Sequence, residues 1–184
     1  FVPSRVCVII PTVRNSDELG ISLDGLANQT YEDMEVVVVG PGDDKGRLEA
    51  ESRGFRYIDD KGASNRADAC NVAIEETESD LVFFTDDDVI VPGDWVERLE
   101  RWFDRHDVAG VGGPNFAPVE ESTYWQKAID VAFCNKFLTA GTNYGKKVIG
   151  ELEEVEQLPG VNSAYRREVL VEVGSFDSGA IGAE

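Results

Sequence analysis

Asp86, Asp87 and Asp88 stand side by side directly after Leu81-Val82-Phe83-Phe84-Thr85. The four largely apolar residues, two of them aromatic, predict a short buried strand, and the acids sit where that strand leaves the core. Three adjacent carboxylates repel one another. Such a cluster is stable in two ways: solvated on a turn, or neutralised by a bound cation. Asp86 and Asp88 alternate to one side and can share a hard ion, whereas Asp87 points to the other side. Mg²⁺ or Mn²⁺ suits such a pair, because it takes one or two carboxylates and completes its shell with phosphate oxygens and water. A solvated turn is the competing account in so acidic a chain. The strand in front favours the cation, since ligands of open α/β sheets bind beyond the carboxyl ends of strands.

The rest of the chain must position these acids, and its pattern alternates strand and helix. Arg5 to Ile10 is a buried strand stopped by Pro11 and Thr12. Asp17 to Asn28 follows as a helix, with Leu19, Leu23, Leu26 and Ala27 at helical spacing and Ser16 as its N-cap. Glu35 to Val39 is a strand whose unbroken β-branched run suits burial on both faces. Asp44 to Arg53 reads as a polar helix, Phe55 to Ile58 as a strand, and Ala63 to Glu76 as a helix with small inward residues. After the acidic cluster come a helix from Asp94 to Phe103 and a short strand from Val108 to Val111. This order predicts an α/β fold with a mainly parallel sheet flanked by helices. Ser122 to Leu138 is an aromatic-rich amphipathic helix, Thr139 to Lys147 a loop, and Arg166 to Val173 a helix ended by Gly174. No repeat or linker interrupts residues 1–184, so one domain is expected.

Composition narrows the function. The 184 residues carry 36 Asp and Glu against 17 Lys and Arg, for a net charge of −19. That balance excludes nucleic acid as a partner, since phosphate backbones need a cationic surface. Acid excess with few lysines suits a protein adapted to high salt. Cys7, Cys70 and Cys134 lack metal-ligand spacing and are expected as reduced, buried thiols, which fits a cytoplasmic setting or the cytoplasmic face of a membrane. No run approaches the length of a membrane span. The chain opens at Phe1 and reads as a piece of something longer, so membrane association would run through segments outside it.

Five segments in order resemble a family 2 glycosyltransferase. They are Val8-Ile9-Ile10-Pro11-Thr12; Leu26-Ala27-Asn28-Gln29-Thr30-Tyr31 before Glu35-Val36-Val37-Val38-Val39; Arg66-Ala67-Asp68-Ala69-Cys70-Asn71; Phe83-Phe84-Thr85-Asp86-Asp87-Asp88; and Gly160-Val161-Asn162-Ser163-Ala164-Tyr165 running on to Val173-Gly174-Ser175-Phe176-Asp177. The resemblance implies a GT-A fold and inverting transfer of a sugar from a UDP- or GDP-sugar donor to a glycan, lipid-carrier or protein acceptor. It implies Mg²⁺ or Mn²⁺ at Asp88 as direct ligand, with Asp86 at the ribose or on the metal, and Asp87 beside the donor. Pro11 and Thr12 correspond to the nucleobase and ribose end. Arg66 corresponds to a cation near the donor phosphates, and Asp68 to a donor-side acid. The chain departs from the family after the second strand, where Gly40-Pro41-Gly42-Asp43 replaces the usual base-contacting acids; Asp43 or Asp44 is the substitute.

Inversion needs a general base opposite the leaving group, and Glu184 resembles the first acid of the family's base motif. Asp177 is expected as a turn acid, and His106 as a surface residue without a catalytic role. Tyr124 and Trp125 are expected in the core, with an acceptor platform as the alternative; Lys146 and Lys147 are expected in a solvated loop. Two rival functions stand beside glycosyl transfer. A nucleotidyltransferase would carry a glycine-rich basic loop after the first strand, which Pro11-Thr12-Val13-Arg14-Asn15 lacks. A non-catalytic nucleotide-sugar-binding scaffold would keep the fold and lose turnover.

Overall fold

The computed structural model describes residues 4–12, 18–42, 45–116, 123–133, 135 and 151–179. Among these the strands are β1 (Val6–Pro11), β2 (Met34–Gly40), β3 (Arg56–Asp59), β4 (Leu81–Phe84), β5 (Gly110–Gly112) and β6 (Ser163–Arg166). The helices are α1 (Leu19–Ala27), α2 (Lys45–Ser52), α3 (Arg66–Glu76), α4 (Trp95–Glu100), α5 (Tyr124–Phe133) and α6 (Arg167–Glu172), with a 3₁₀ turn at Arg101–Asp104 after α4. The strands form one sheet in the order β3-β2-β1-β4-β6-β5. β1, β2, β3 and β4 run parallel, whereas β6 is antiparallel to both β4 and β5.

Alternation along the strands explains the two layers. Val6, Val8 and Ile10 of β1 and Phe83 of β4 pack on one face against Leu19, Leu23 and Leu26 of α1 and Trp95, Val96 and Leu99 of α4. Cys7, Ile9, Val82 and Phe84 pack on the other against Ala69, Cys70, Ala73 and Ile74 of α3 and Leu170 of α6. The small residues of α3 let that helix lie close to the sheet. Every residue of β4 is at most 1% exposed, and each of its large side chains contributes about 1.5–3 kcal/mol by leaving water. That burial anchors the base of the acidic cluster.

The chain places β1, β2 and β3 successively to one side and then returns to the other side of β1 with β4. The sheet therefore has its topological switch between β1 and β4, and in open α/β sheets ligands bind at the carboxyl ends of the strands flanking such a point. Pro11 and Thr12 leave β1 on one side of this point, and Thr85 to Asp88 leave β4 on the other. The antiparallel β6 begins at Ser163, opposite Phe84, so the residues before it come to the same edge.

The expected α/β alternation is present, with three differences. Ser163 to Arg166 forms a strand where the sequence suggested only the approach to a helix; α6 starts at Arg167. The cause is tertiary: Ala164 is fully buried in the slot between β4 and β5, a position that small side chains fill whatever their local preference. α3 begins at Arg66 rather than Ala63, because the Asn65 side chain caps it by accepting from the Asp68 amide at 2.9 Å. Third, Tyr124 and Trp125 are not in the core. They are 78% and 73% exposed, with Ile129 and Val131 also outside. The amphipathic period of α5 is real, but its apolar arc faces outward. Ser16, which was expected to cap α1, and the loop with Lys146 and Lys147 lie outside the described residues.

Candidate active site

The three acids do not alternate as a strand would place them: β4 ends at Phe84 and Asp87 and Asp88 lie in a turn, so each carboxylate has its own surroundings. Asp86 turns to the α3 face, where Arg66 Nε donates to its Oδ1 at 2.9 Å and Arg66 Nη2 lies 2.9 Å from the same oxygen. Arg66 Nη2 also donates to the Gly160 carbonyl at 2.9 Å. A Cβ at Gly160 would stand 3.2 Å from the guanidinium. One arginine thus brackets the loop after β4 and the loop before β6.

Asp87 turns to the α1 face. Thr12 Oγ1 donates to its Oδ2 at 2.6 Å, and Ser22 Oγ of α1 donates to its backbone carbonyl at 3.0 Å. Thr12 is 1% exposed and rests on Gly40, where a Cβ would stand 2.5 Å from the Thr12 carbonyl. Only glycine allows β1 and β2 to end this close together. The Thr12–Asp87 bond therefore spans the switch point, tying the end of β1 to the acidic cluster.

Asp88 is the exposed member of the trio. Partial burial of its carboxyl pushes its pKa above the ordinary carboxylate range, and the negative charges of Asp86 and Asp87 push it further. Desolvation and like charge both disfavour its ionised form, and a cation beside it reverses the second effect. Among the described residues no group of three or more His, Cys, Asp or Glu side chains converges on one point. This donor set fits an ion that draws one or two ligands from the protein and the remainder from phosphate and water. Both Arg66 contacts fall on Oδ1 of Asp86, so its second carboxylate oxygen is not spent on the guanidinium.

Asp68 has a local role. Its Oδ2 accepts from Ser64 Oγ at 2.6 Å and from the Ser64 amide at 3.2 Å. The Ser64 hydroxyl, with a further bond from Ser178, holds its carboxyl below the usual range. Asp43, Asp44 and Glu184 lie outside the described residues. Asp177 accepts from the Gly179 amide at 2.9 Å, as a turn acid does, and His106 is exposed.

Several residues escaped the sequence reading. Asn162 joins three elements: its Oδ1 accepts from Trp95 Nε1 at 2.9 Å, its Nδ2 donates to the Pro114 carbonyl at 3.1 Å, and its carbonyl accepts from the Gly113 amide at 3.1 Å. Ser22 and Asn71 also carry bonds that spacing alone did not suggest, although Asn71 and Asn162 both stand inside the motifs noted above. Thr85 Oγ1 is buried without a hydrogen-bond partner among the described residues. Beside Asp88 a cleft of about 1460 Å³ opens, with Trp95, Trp102, Val111, Leu152, Leu158 and Val161 in its walls.

The switch point of an open sheet, with carboxylates on one loop and an arginine on the neighbouring helix, suits a phosphate-bearing ligand held through a divalent cation. Comparison with known proteins gives the family and the fold. The sequence profile of glycosyl transferase family 2 matches residues 7–174, and the chain belongs to that family. Its sheet has the GT-A arrangement. The mannosyltransferase PcManGT of Pyrobaculum calidifontis, solved with GDP-Man and Mn²⁺, superposes with a TM-score of 0.69 at 22% identity over 99% of this chain and 50% of its own. Glucosyl-3-phosphoglycerate synthase of Mycobacterium tuberculosis, solved with UDP, gives 0.62 at 16% identity over 91% of this chain and 58% of its own. In sequence, the glucosyl-dolichyl phosphate glucuronosyltransferase of Haloferax volcanii is 27% identical over 95% of this chain. The chain spans 56% of the length of that relative.

Proposed function

We propose that residues 1–184 form one GT-A domain that binds a UDP- or GDP-sugar with Mg²⁺ or Mn²⁺ and transfers the sugar, with inversion, to an acceptor hydroxyl or lipid phosphate. The observation that carries this is the divergence of Asp86 and Asp87 at the switch point, one bracketed by Arg66 and the other tied to Thr12. In this reading the nucleoside diphosphate lies at the carboxyl ends of β1 and β4. Thr12 and Pro11 border the nucleoside end, Arg66 faces the diphosphate, and Asp88, with Asp86, holds the cation. When bound, that cation neutralises charge developing on the leaving diphosphate. Arg66 adds a fixed positive charge beside it, exchanging part of its hold on Asp86 for phosphate oxygens. Asp87 keeps the loop in place through Thr12 and Ser22. Asp43 takes the base, Asp68 shapes the turn before α3, and Glu184 removes the acceptor proton.

Structural relatives bound to GDP-Man and to UDP support either nucleotide. The name of the Haloferax relative favours a lipid-linked acceptor. The exposed Tyr124 and Trp125 are consistent with that acceptor, offering aromatic faces to a sugar or to lipid. Among the described residues no helix is long and apolar enough to cross a membrane. Incubation with UDP- and GDP-sugars and vesicles carrying a polyprenyl phosphate tests the reading. Transfer with inverted anomeric configuration, lost in Asp88→Asn, is expected. A protein that binds nucleotide but transfers sugar to none of these acceptors would instead favour the scaffold alternative.

A further inference from the structure

Helix α3 meets the candidate site at two places, and the two contacts close a circuit. At its first turn Arg66 holds Asp86 and the Gly160 carbonyl. Further along, Asn71 bonds both backbone groups of a single residue. Its Nδ2 donates to the Phe176 carbonyl at 2.8 Å, and its Oδ1 accepts from the Phe176 amide at 3.0 Å. A side-chain amide used this way imitates a neighbouring strand and fixes both the place and the orientation of the backbone it grips. Asn65 Nδ2 adds a bond to the Ser178 carbonyl at 3.1 Å. The Phe176 ring then meets Phe84 edge-on, with centroids 5.1 Å apart, and Tyr165 at 6.3 Å. Phe84 is the last residue of β4 and stands two positions before Asp86. From Asp86 the circuit runs through Arg66, α3, Asn71, Phe176 and Phe84, and returns to Asp86.

The backbone leading into Phe176 is bent against its own preference. Helix α6 ends in a Schellman turn, in which the Gly174 amide donates to Val171 and the Ser175 amide to Leu170. Gly174 has φ +92°, which glycine accepts freely; Ser175 has φ +62°, which a residue with a Cβ seldom adopts. Such a conformation persists only where its surroundings over-determine it. Here the Asn71 clamp and the Phe176 ring do so.

We propose that Asn71 is a positioning residue for the acidic cluster. By seating Phe176 against Phe84 it sets where Asp86 stands between β4 and Arg66, and hence how tightly the chain takes a nucleoside diphosphate with its cation. The second half of this statement rests on the donor-binding reading above; the first half, the mechanical coupling, does not.

Two arms separate these. In the ligand-free protein, NMR follows exchange of the Arg66 Nε–H, whose proton lies in the bond to Asp86. In Asn71→Ala this exchange accelerates about ten-fold or more, while core amides such as Val37 change little. In the second arm, Mn²⁺-dependent affinity for UDP or GDP, measured where the variant is folded, falls about ten-fold. Asn71→Asp keeps the acceptor for the Phe176 amide and gives an intermediate effect in both arms. Tyr31→Phe, which loses a bond to the Ser4 carbonyl before β1, at the amino-terminal end of the strands, lowers the melting temperature but moves neither readout.

If Asn71→Ala does not fold, Phe176→Leu, which spares both backbone bonds and removes the ring contact, loosens the Arg66 signal in the same way. Unchanged Arg66 exchange and unchanged affinity, with only a lower melting temperature, would make Asn71 merely structural and overturn the proposal. Absence of nucleotide binding in the wild-type protein would remove the donor-binding reading, and the exchange arm would still decide the coupling.

Discussion

Thr12 and Asp87 show how much of the site depends on one bond between side chains far apart in sequence. Thr12 is buried, so its hydroxyl has little recourse to water, and the carboxylate it serves is charged. Thr12→Val keeps the shape and removes the donor, at a cost of about 1.5–3 kcal/mol. A urea titration reads that loss as a lower midpoint with an unchanged slope, and an unchanged midpoint would contradict the role given to the bond. The buried thiols make a second prediction at this scale. Burial, the largest cause in each case, raises both Cys7 and Cys70 to about 12 from an ordinary 9.0. The folded chain therefore holds these protons more tightly than the unfolded chain. The stability this confers is complete below about pH 9 and is lost as pH climbs toward 12. In native protein at pH 8 neither thiol should react with iodoacetamide, and Cys70→Ala should flatten the alkaline decline of the melting temperature.

At the scale of elements, the sequence disclosed what lies in repeated pattern and hid what depends on distant partners. The unbroken valines of β2 and the aromatic pair ending β4 announced parallel, doubly covered strands, and the acids after β4 stand at the carboxyl ends of those strands. β6 was hidden because Ser163-Ala164-Tyr165-Arg166 has no strand period of its own; the slot between β4 and β5 creates it. Asn71 and Asn162 stood in recognised motifs, but their bonds reach Phe176, Trp95 and Pro114, which no local spacing reveals. Periodicity also misled: α5 is amphipathic, yet its aromatic arc faces outward. Trp125→Ala should accordingly change stability by less than about 0.5 kcal/mol. Trp95→Ala, which removes a ring packed edge-on against Phe83 at 5.5 Å, should cost about 3–5 kcal/mol. A Trp125 variant as damaging as the Trp95 variant would return α5 to the core.

The whole molecule carries a charge of −19, and many of its described cations are already paired with acids, as Arg53 is with Asp24 and Glu49, or Arg105 with Asp107. The remaining carboxylates repel one another, and salt relieves that repulsion over a Debye length of about 10 Å at 0.1 M and about 3 Å at 1 M. The melting temperature should rise between about 0.1 M and about 1 M KCl; a flat response would argue against salt adaptation. In the proposed function the same negative field bears on the site, where a diphosphate would need a cation as well as Arg66. The central claim is that the acids after β4 recruit that cation for a nucleotide. Calorimetric titration of UDP and GDP with and without Mn²⁺, into wild type and Asp86→Ala/Asp88→Ala, tests it most directly. Binding of one nucleotide that requires Mn²⁺ and disappears in the variant is the predicted result. Equal binding without metal, or by the folded variant, would contradict it.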